Sequence, residues 1–301
     1  KTIFSIYPVL LRFIRLPNMD EDYEKPYVPL WTAQEARALV LNNACLGIIG
    51  YYLVRIPLIL LSYILAQLEG LRPELHYYGL VIDKISNDSV IQGAGWSGGS
   101  TIGAYFIGPL VFAFAAIYLL QRWEYLWLNG ISLGLIIWTS LHGFSRLLCG
   151  AVAGVFIPKY VGQVFVATGI SLGVRVLLGI AAFGIFLAVA RFFLPPLLFN
   201  GREQRVAEDE GSRGEFVRYT LFLPWLLSSS FIALIHGIRG HYYEVIIQFL
   251  LGLVVLHIYH QFRPQKPEYN VPIPEQGRPR VDFRLWVATA LVFLLIFILF
   301  F

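Results

Sequence analysis

Runs of about 20 residues with almost no charge recur along the whole 301-residue chain, and a run of that length crosses the hydrocarbon core of a bilayer as a helix. A soluble globule carries roughly a quarter of its residues charged. Here 14% are charged and 57% are apolar. The expected fold is therefore all-α: a polytopic integral membrane bundle of about seven transmembrane helices. The spans fall at 41–67, 101–120, 126–148, 161–193, 216–235, 243–260 and 284–301. The opening stretch, 1–16, has basic residues Arg12 and Arg15 behind an apolar run and no small-residue cleavage site. That order argues against a signal peptide and for an amphipathic helix lying in the interface. Residues 1–40 are then an interfacial and cytoplasmic segment, and 41–301 a single transmembrane domain.

Orientation follows from Lys and Arg, which accumulate in cytoplasmic loops. With seven crossings, 16 of the 23 basic residues fall on one side and 5 on the other, while Arg55 and Arg175 lie within spans. This places the N-terminus in the cytoplasm and the C-terminus outside, in a membrane expected to be a bacterial inner membrane. The net charge of +4 thus reports topology and gives no sign of nucleic acid as a partner. The long connections at 69–100, 195–215 and 261–282 are too short for an unaided domain. The segment 195–215, with Glu208, Asp209 and Glu210 among its arginines, reads as a solvated linker. The proline-bearing 261–282 reads as extended. Chemistry must then sit in the bundle or come from partner chains.

Arg55 and Arg175 stand near the middle of the first and fourth spans, where a charge is costly unless it faces the bundle interior. No span has an Asp or Glu near its middle, and Glu69 and Glu244 occur only at ends. Proton relays and ion-coupled transport usually require such a carboxylate. An intramembrane Arg without one turns to helix-end carbonyls or to an anionic ligand. His142 with Arg146 one helical turn on, and His236 with Arg239 and His241 nearby, should share a depth in the outer leaflet. An imidazole there offers a general base, and two histidines from different helices also suit bis-His haem. The cofactor stays undefined at this point, and no metal site is expected. Cys45 and Cys149, the two cysteines, supply neither a disulfide framework nor a thiolate cage.

Short matches add alternatives. Gly130-Ile-Ser-Leu-Gly134 recurs as Gly169-Ile-Ser-Leu-Gly173, small residues four apart that suit close helix packing in lipid. Gly95-Trp96-Ser97-Gly98 resembles the Gly-x-Ser-Gly of rhomboid intramembrane proteases. His142, however, is followed directly by Gly143 and lacks the rhomboid His-x-x-Gly context, so the stretch reads as a glycine-rich loop. His236-Gly237-Ile238-Arg239-Gly240-His241-Tyr242-Tyr243 resembles the surroundings of the membrane histidine in membrane-bound O-acyltransferases. That resemblance implies an acyl transferase with His236 as base.

The leading expectation is a membrane subunit of a larger assembly, or a homo-oligomer, that binds lipid or a hydrophobic anion. Arg55, Arg146, Arg175, Arg239 and His241 are the expected binding residues. The alternatives are a lipid or acyl transferase using His236 or His142, and a facilitative transporter of an anionic solute.

Overall fold

The computed structural model describes residues 30–68, 73–76, 79–82, 102–123, 130–201, 206, 209–238, 240–263 and 279–300. The interfacial helix expected at 1–16, the Gly95–Gly98 stretch, Arg239 and most of 261–282 lie outside them.

Among the described residues, six helices are long and apolar enough to cross a membrane: α1 (Ala33–Leu68), α2 (Gly103–Arg122), α3 (Gly130–Gly154), α5 (Leu172–Asn200), α6 (Glu210–Gly237) and α7 (Tyr242–Phe262). A short helix, α4 (Val161–Ala167), precedes α5. A final apolar helix, α8 (Phe283–Phe300), packs along α1. A small antiparallel pair, β1 (Pro73–His76) with β2 (Gly79–Ile82), lies in the connection between α1 and α2 of this otherwise helical fold.

Local chemistry explains the boundaries. Helix α1 begins well before position 41 because Thr32 and Glu35 form a capping box. The Thr32 hydroxyl accepts from the Glu35 N–H at 3.3 Å, and the Glu35 carboxylate accepts from the Thr32 N–H at 2.9 Å. Helices α2 and α6 each contain a π turn, at Gly103–Ile107 and Arg218–Phe222, just ahead of Pro109 and Pro224. A proline has no N–H for the carbonyl four residues back, and the wider turn absorbs the defect.

The expected span 161–193 is corrected. Helix α4 closes at Gly169, whose φ of +68° is open to glycine. The N–H of Ile170 bonds the Phe165 carbonyl and that of Gly169 the Val166 carbonyl, and a new helix starts at Leu172. The two Gly-Ile-Ser-Leu-Gly copies therefore differ. A Cβ on Gly134 would meet Leu46 at 2.9 Å, whereas Gly173 faces open space.

Nor is 195–215 a solvated linker throughout. Leu194, Leu197 and Val206 are buried, and Glu210 opens α6. Asp209 caps that helix, its carboxylate accepting from the Ser212 N–H at 2.6 Å. Partial burial pushes this carboxyl upward, but the backbone N–H bonds and nearby Arg213 outweigh it and hold it below the usual carboxylate range. A folded-state value that is lowered contributes stability above the ordinary carboxylate range and loses it as pH falls through the lowered value. Asp209→Ala should cost about 1 kcal/mol at neutral pH. Thermal melts should show that difference shrinking under acid, while Asp209→Asn keeps a pH-independent cap.

Helix α3 is the core of the bundle, packed by α1, α2, α5 and α7. Leu133, Ile137, Trp138, Leu141, Phe144 and Cys149 are buried along it. Its neighbour α5 is the opposite case, presenting Leu172, Leu177 and Ile180 outward as a lipid-facing helix does. Both cysteines are free and buried. Asn42 ties α8 to α1, donating to the Arg280 carbonyl at 2.8 Å and accepting from the Asp282 N–H at 3.0 Å.

Candidate functional site

Three helix faces supply a buried polar cluster. Residues Gly47, Tyr51 and Arg55 fall four apart on α1, and Trp138, His142 and Arg146 fall four apart on α3, so each trio shares one face. The third contribution depends on a turn. Gly240, with φ +74°, follows α6, and the N–H groups of His241 and Gly240 bond the carbonyls of His236 and Gly237 at 2.9 and 3.0 Å. This glycine-closed motif reverses the chain, so that His236 from the last turn of α6 and Glu244 from the first turn of α7 reach the same place.

Glu244 is the centre. Arg146 Nη1 donates to both carboxylate oxygens at 2.8 and 2.7 Å, and Arg55 Nη1 pairs with Oε1. The Tyr51 hydroxyl donates to Oε2 at 3.2 Å and also contacts His236 Nε2 at 2.8 Å. Side-chain exposure is 3% for Arg55, 6% for Arg146 and 2% for Glu244, so water screens these charges little. Both guanidinium groups also lie over the Tyr51 ring, at 4.8 Å for Arg146 and 5.6 Å for Arg55.

The expectation that the intramembrane arginines lack a carboxylate is thus overturned for Arg55. Glu244 is terminal in its helix, yet helix packing carries that helix end into the bundle.

His142 takes a different place. Its Nε2 lies 3.1 Å from the Gly47 carbonyl, which only accepts, so Nε2 carries the proton. The ring stacks on Trp138 at 6.2 Å and meets Tyr51 at 5.5 Å. His236 also lies against Tyr51, at 6.0 Å. The fully buried Tyr51 ring packs on both imidazoles, and oxygen partners engage both Nε2 atoms. This arrangement does not fit a haem held between the two histidines. Among the described residues, no three His, Cys, Asp or Glu side chains form a group suited to a metal ion.

His241 stands at the N-cap position of α7 without a side-chain capping bond, its ring 6.5 Å from that of His236. Arg175 is corrected in position: it lies in the first turn of α5, not mid-span. Its Nε donates to the Ile170 carbonyl at 2.7 Å, away from Glu244.

A small cavity touches the cluster. Arg55, Arg146 and Glu244 form its charged wall, Tyr160 and Tyr243 an aromatic wall, and Leu58, Ile59 and Pro109 an apolar one. Sequence reasoning missed the two tyrosines. Tyr160 holds φ +50°, a conformation rare for a bulky side chain. Its ring packs 5.1 Å from Tyr243 and 6.1 Å from Tyr105, and its hydroxyl bonds Arg55. Tyr243 in turn donates to the Gly150 carbonyl at 3.3 Å. Backbone strain of this kind persists where surrounding contacts over-determine it, and it concentrates at ligand clamps.

The cluster brings two cations to one carboxylate in a low-dielectric setting, chemistry suited to an anion rather than a cation. No protein-family model, curated protein sequence or solved structure matches this chain.

Proposed function

We propose that this chain is a multi-pass integral membrane subunit of a larger assembly that binds lipid or another hydrophobic anion at the Arg55/Arg146/Glu244 cluster. The observation that carries the reading is Arg146, whose Nη1 is engaged by Glu244 while its Nε and Nη2 are buried with no hydrogen-bond partner among the described residues. Buried donors of a charged group are costly to leave unmade, and a bound anion would satisfy them. The outward apolar face of α5 supports a neighbour in the membrane, either lipid or protein. In this reading the membrane is a bacterial inner membrane, with the N-terminus cytoplasmic, the C-terminus outside and the cluster in the outer leaflet.

Purification in mild detergent, followed by mass spectrometry of everything retained, tests it. Stoichiometric partner chains together with an anionic lipid are the expected result. A chain that purifies alone, free of lipid and fully active, overturns it.

A second reading is favoured by the contacts His236–Tyr51 and Tyr51–Glu244. This chain of groups orients an imidazole in the way a general base requires. As an acyl or lipid transferase, the protein would lose turnover in His236→Ala with its melting midpoint kept. Acyl transfer unchanged in both His236→Ala and His142→Ala would sink that reading.

A further inference from the structure

The small cavity beside the cluster has one side chain at its mouth. Of the residues that line it, Tyr160 alone is partly exposed, and the rest are buried. Next to Tyr160 the turn from α3 to α4 runs along the surface, with Pro158 and Lys159 exposed and Phe156 79% exposed. Tyr160 therefore stands between that surface and the Arg55–Glu244 pair.

Its backbone is a second, independent observation. Among the described residues Tyr160 is the only non-glycine residue at positive φ, with φ +50° and ψ −115°. For a bulky side chain this conformation is costly and persists only while surrounding contacts enforce it. Side chains of the site supply such contacts: the rings of Tyr243 and Tyr105, and the Arg55 guanidinium, which donates to the Tyr160 hydroxyl. Tyr105 itself belongs to the π turn of α2, a wide turn of the kind that recurs at functional sites. Behind Tyr160 the main chain is pinned, because a Cβ on Gly154 would stand 2.6 Å from the Gly162 nitrogen. A return of φ to negative values relieves the backbone. Since φ sets the direction of the Cα–Cβ bond, the same rotation carries the ring off the cavity.

We infer that Tyr160 is a gate. Its ring closes the cavity in this structure, and its swing on the pinned α3–α4 turn opens Arg55 and Glu244 to water from that side of the bundle. A solute larger than water reaches the pair only in the open form. Such access serves either reading of the cluster given above and presupposes neither.

The test uses the full chain in lipid nanodiscs, where both faces of the bilayer meet water. Ile59→Cys supplies a thiol on the buried cavity wall, and peptide mass spectrometry reads its modification by a charged methanethiosulfonate separately from the native cysteines. With Tyr160 in place, labelling should be slow. Tyr160→Phe keeps the ring but not the bond from Arg55, and should label several-fold faster. Tyr160→Ala removes the ring and should label about tenfold faster or more, since the rate follows the population of the open form. Cys45, buried about 15 Å along α1 from Arg55, should stay unlabelled and so exclude a general loosening of the bundle. Leu58→Cys on the same wall repeats the measurement where Ile59→Cys fails to fold.

Labelling of the wall cysteine at one rate in all three proteins, with Cys45 protected, overturns the gate. Where Tyr160→Ala labels Cys45 as well, Tyr160→Phe decides, and an unchanged rate there overturns it.

Discussion

Glu244→Leu should destabilise the bundle more than any other single change in the cluster, by about 3–5 kcal/mol, because it strands two buried cations. The three charged residues are not equivalent. Glu244 accepts from Arg146 through both oxygens, from Arg55 and from Tyr51, so its loss removes every one of these bonds at once. Arg146→Leu leaves one guanidinium paired through Arg55. Arg55→Leu leaves the two-oxygen contact of Arg146 with Glu244 intact and the pair neutral. The expected order of melting midpoints in detergent is unmodified protein, Arg55→Leu, Arg146→Leu, Glu244→Leu, the last falling on the order of 10 °C. Equal midpoints for Arg55→Leu and Glu244→Leu would show that Glu244 is not the hub.

Gly162→Ala is the second large effect, and it acts through backbone. A Cβ at Gly162 would stand 2.1 Å from the Ile157 carbonyl oxygen and 2.8 Å from the Gly154 Cα. No rotamer change relieves a clash with main chain. The turn between α3 and α4 must open, and with it moves Tyr160, which that turn holds at positive φ. A loss at the upper end of the roughly 1–3 kcal/mol typical of overpacking is expected, together with weaker anion retention. Gly184→Ala is the matching control: nothing lies within 4 Å of a Cβ there, and mid-helix Gly to Ala should stabilise by about 0.5–1 kcal/mol. Melting both variants in one detergent checks the contrast.

Much of the cluster was legible before any tertiary structure. Arg55, Arg146, His142 and His236 stand out because charge and imidazole inside apolar runs are expensive and rare, and four-residue spacing places His142 and Arg146 on one face. Glu244 gives a weaker signal, because a position at a helix end suggests exposure. The signal available was Gly240, four residues earlier, a residue type that closes a helix and returns the chain. Tyr51 and Tyr160 carried no such signal, since tyrosine in an apolar run reads equally well as interface or core. The repeated Gly-Ile-Ser-Leu-Gly stretches show the converse. Identical pentapeptides pack tightly in α3 and form a helix stop before α5, because a glycine permits both and its neighbours choose.

What the amino-acid sequence by itself determined was the membrane-spanning helical class, through the length and charge poverty of its apolar runs, and the identity of most of the costly polar residues within them. Those properties are local, being summed along a single segment. Tertiary structure alone decided that Arg55, Arg146, Tyr51 and His236 meet around Glu244. Positions separated by 189 residues, as Arg55 and Glu244 are, become ion partners only when the approach of α1, α3 and α7 removes water from between them. The strength of that pairing is a property of the excluded solvent, which no segment carries alone.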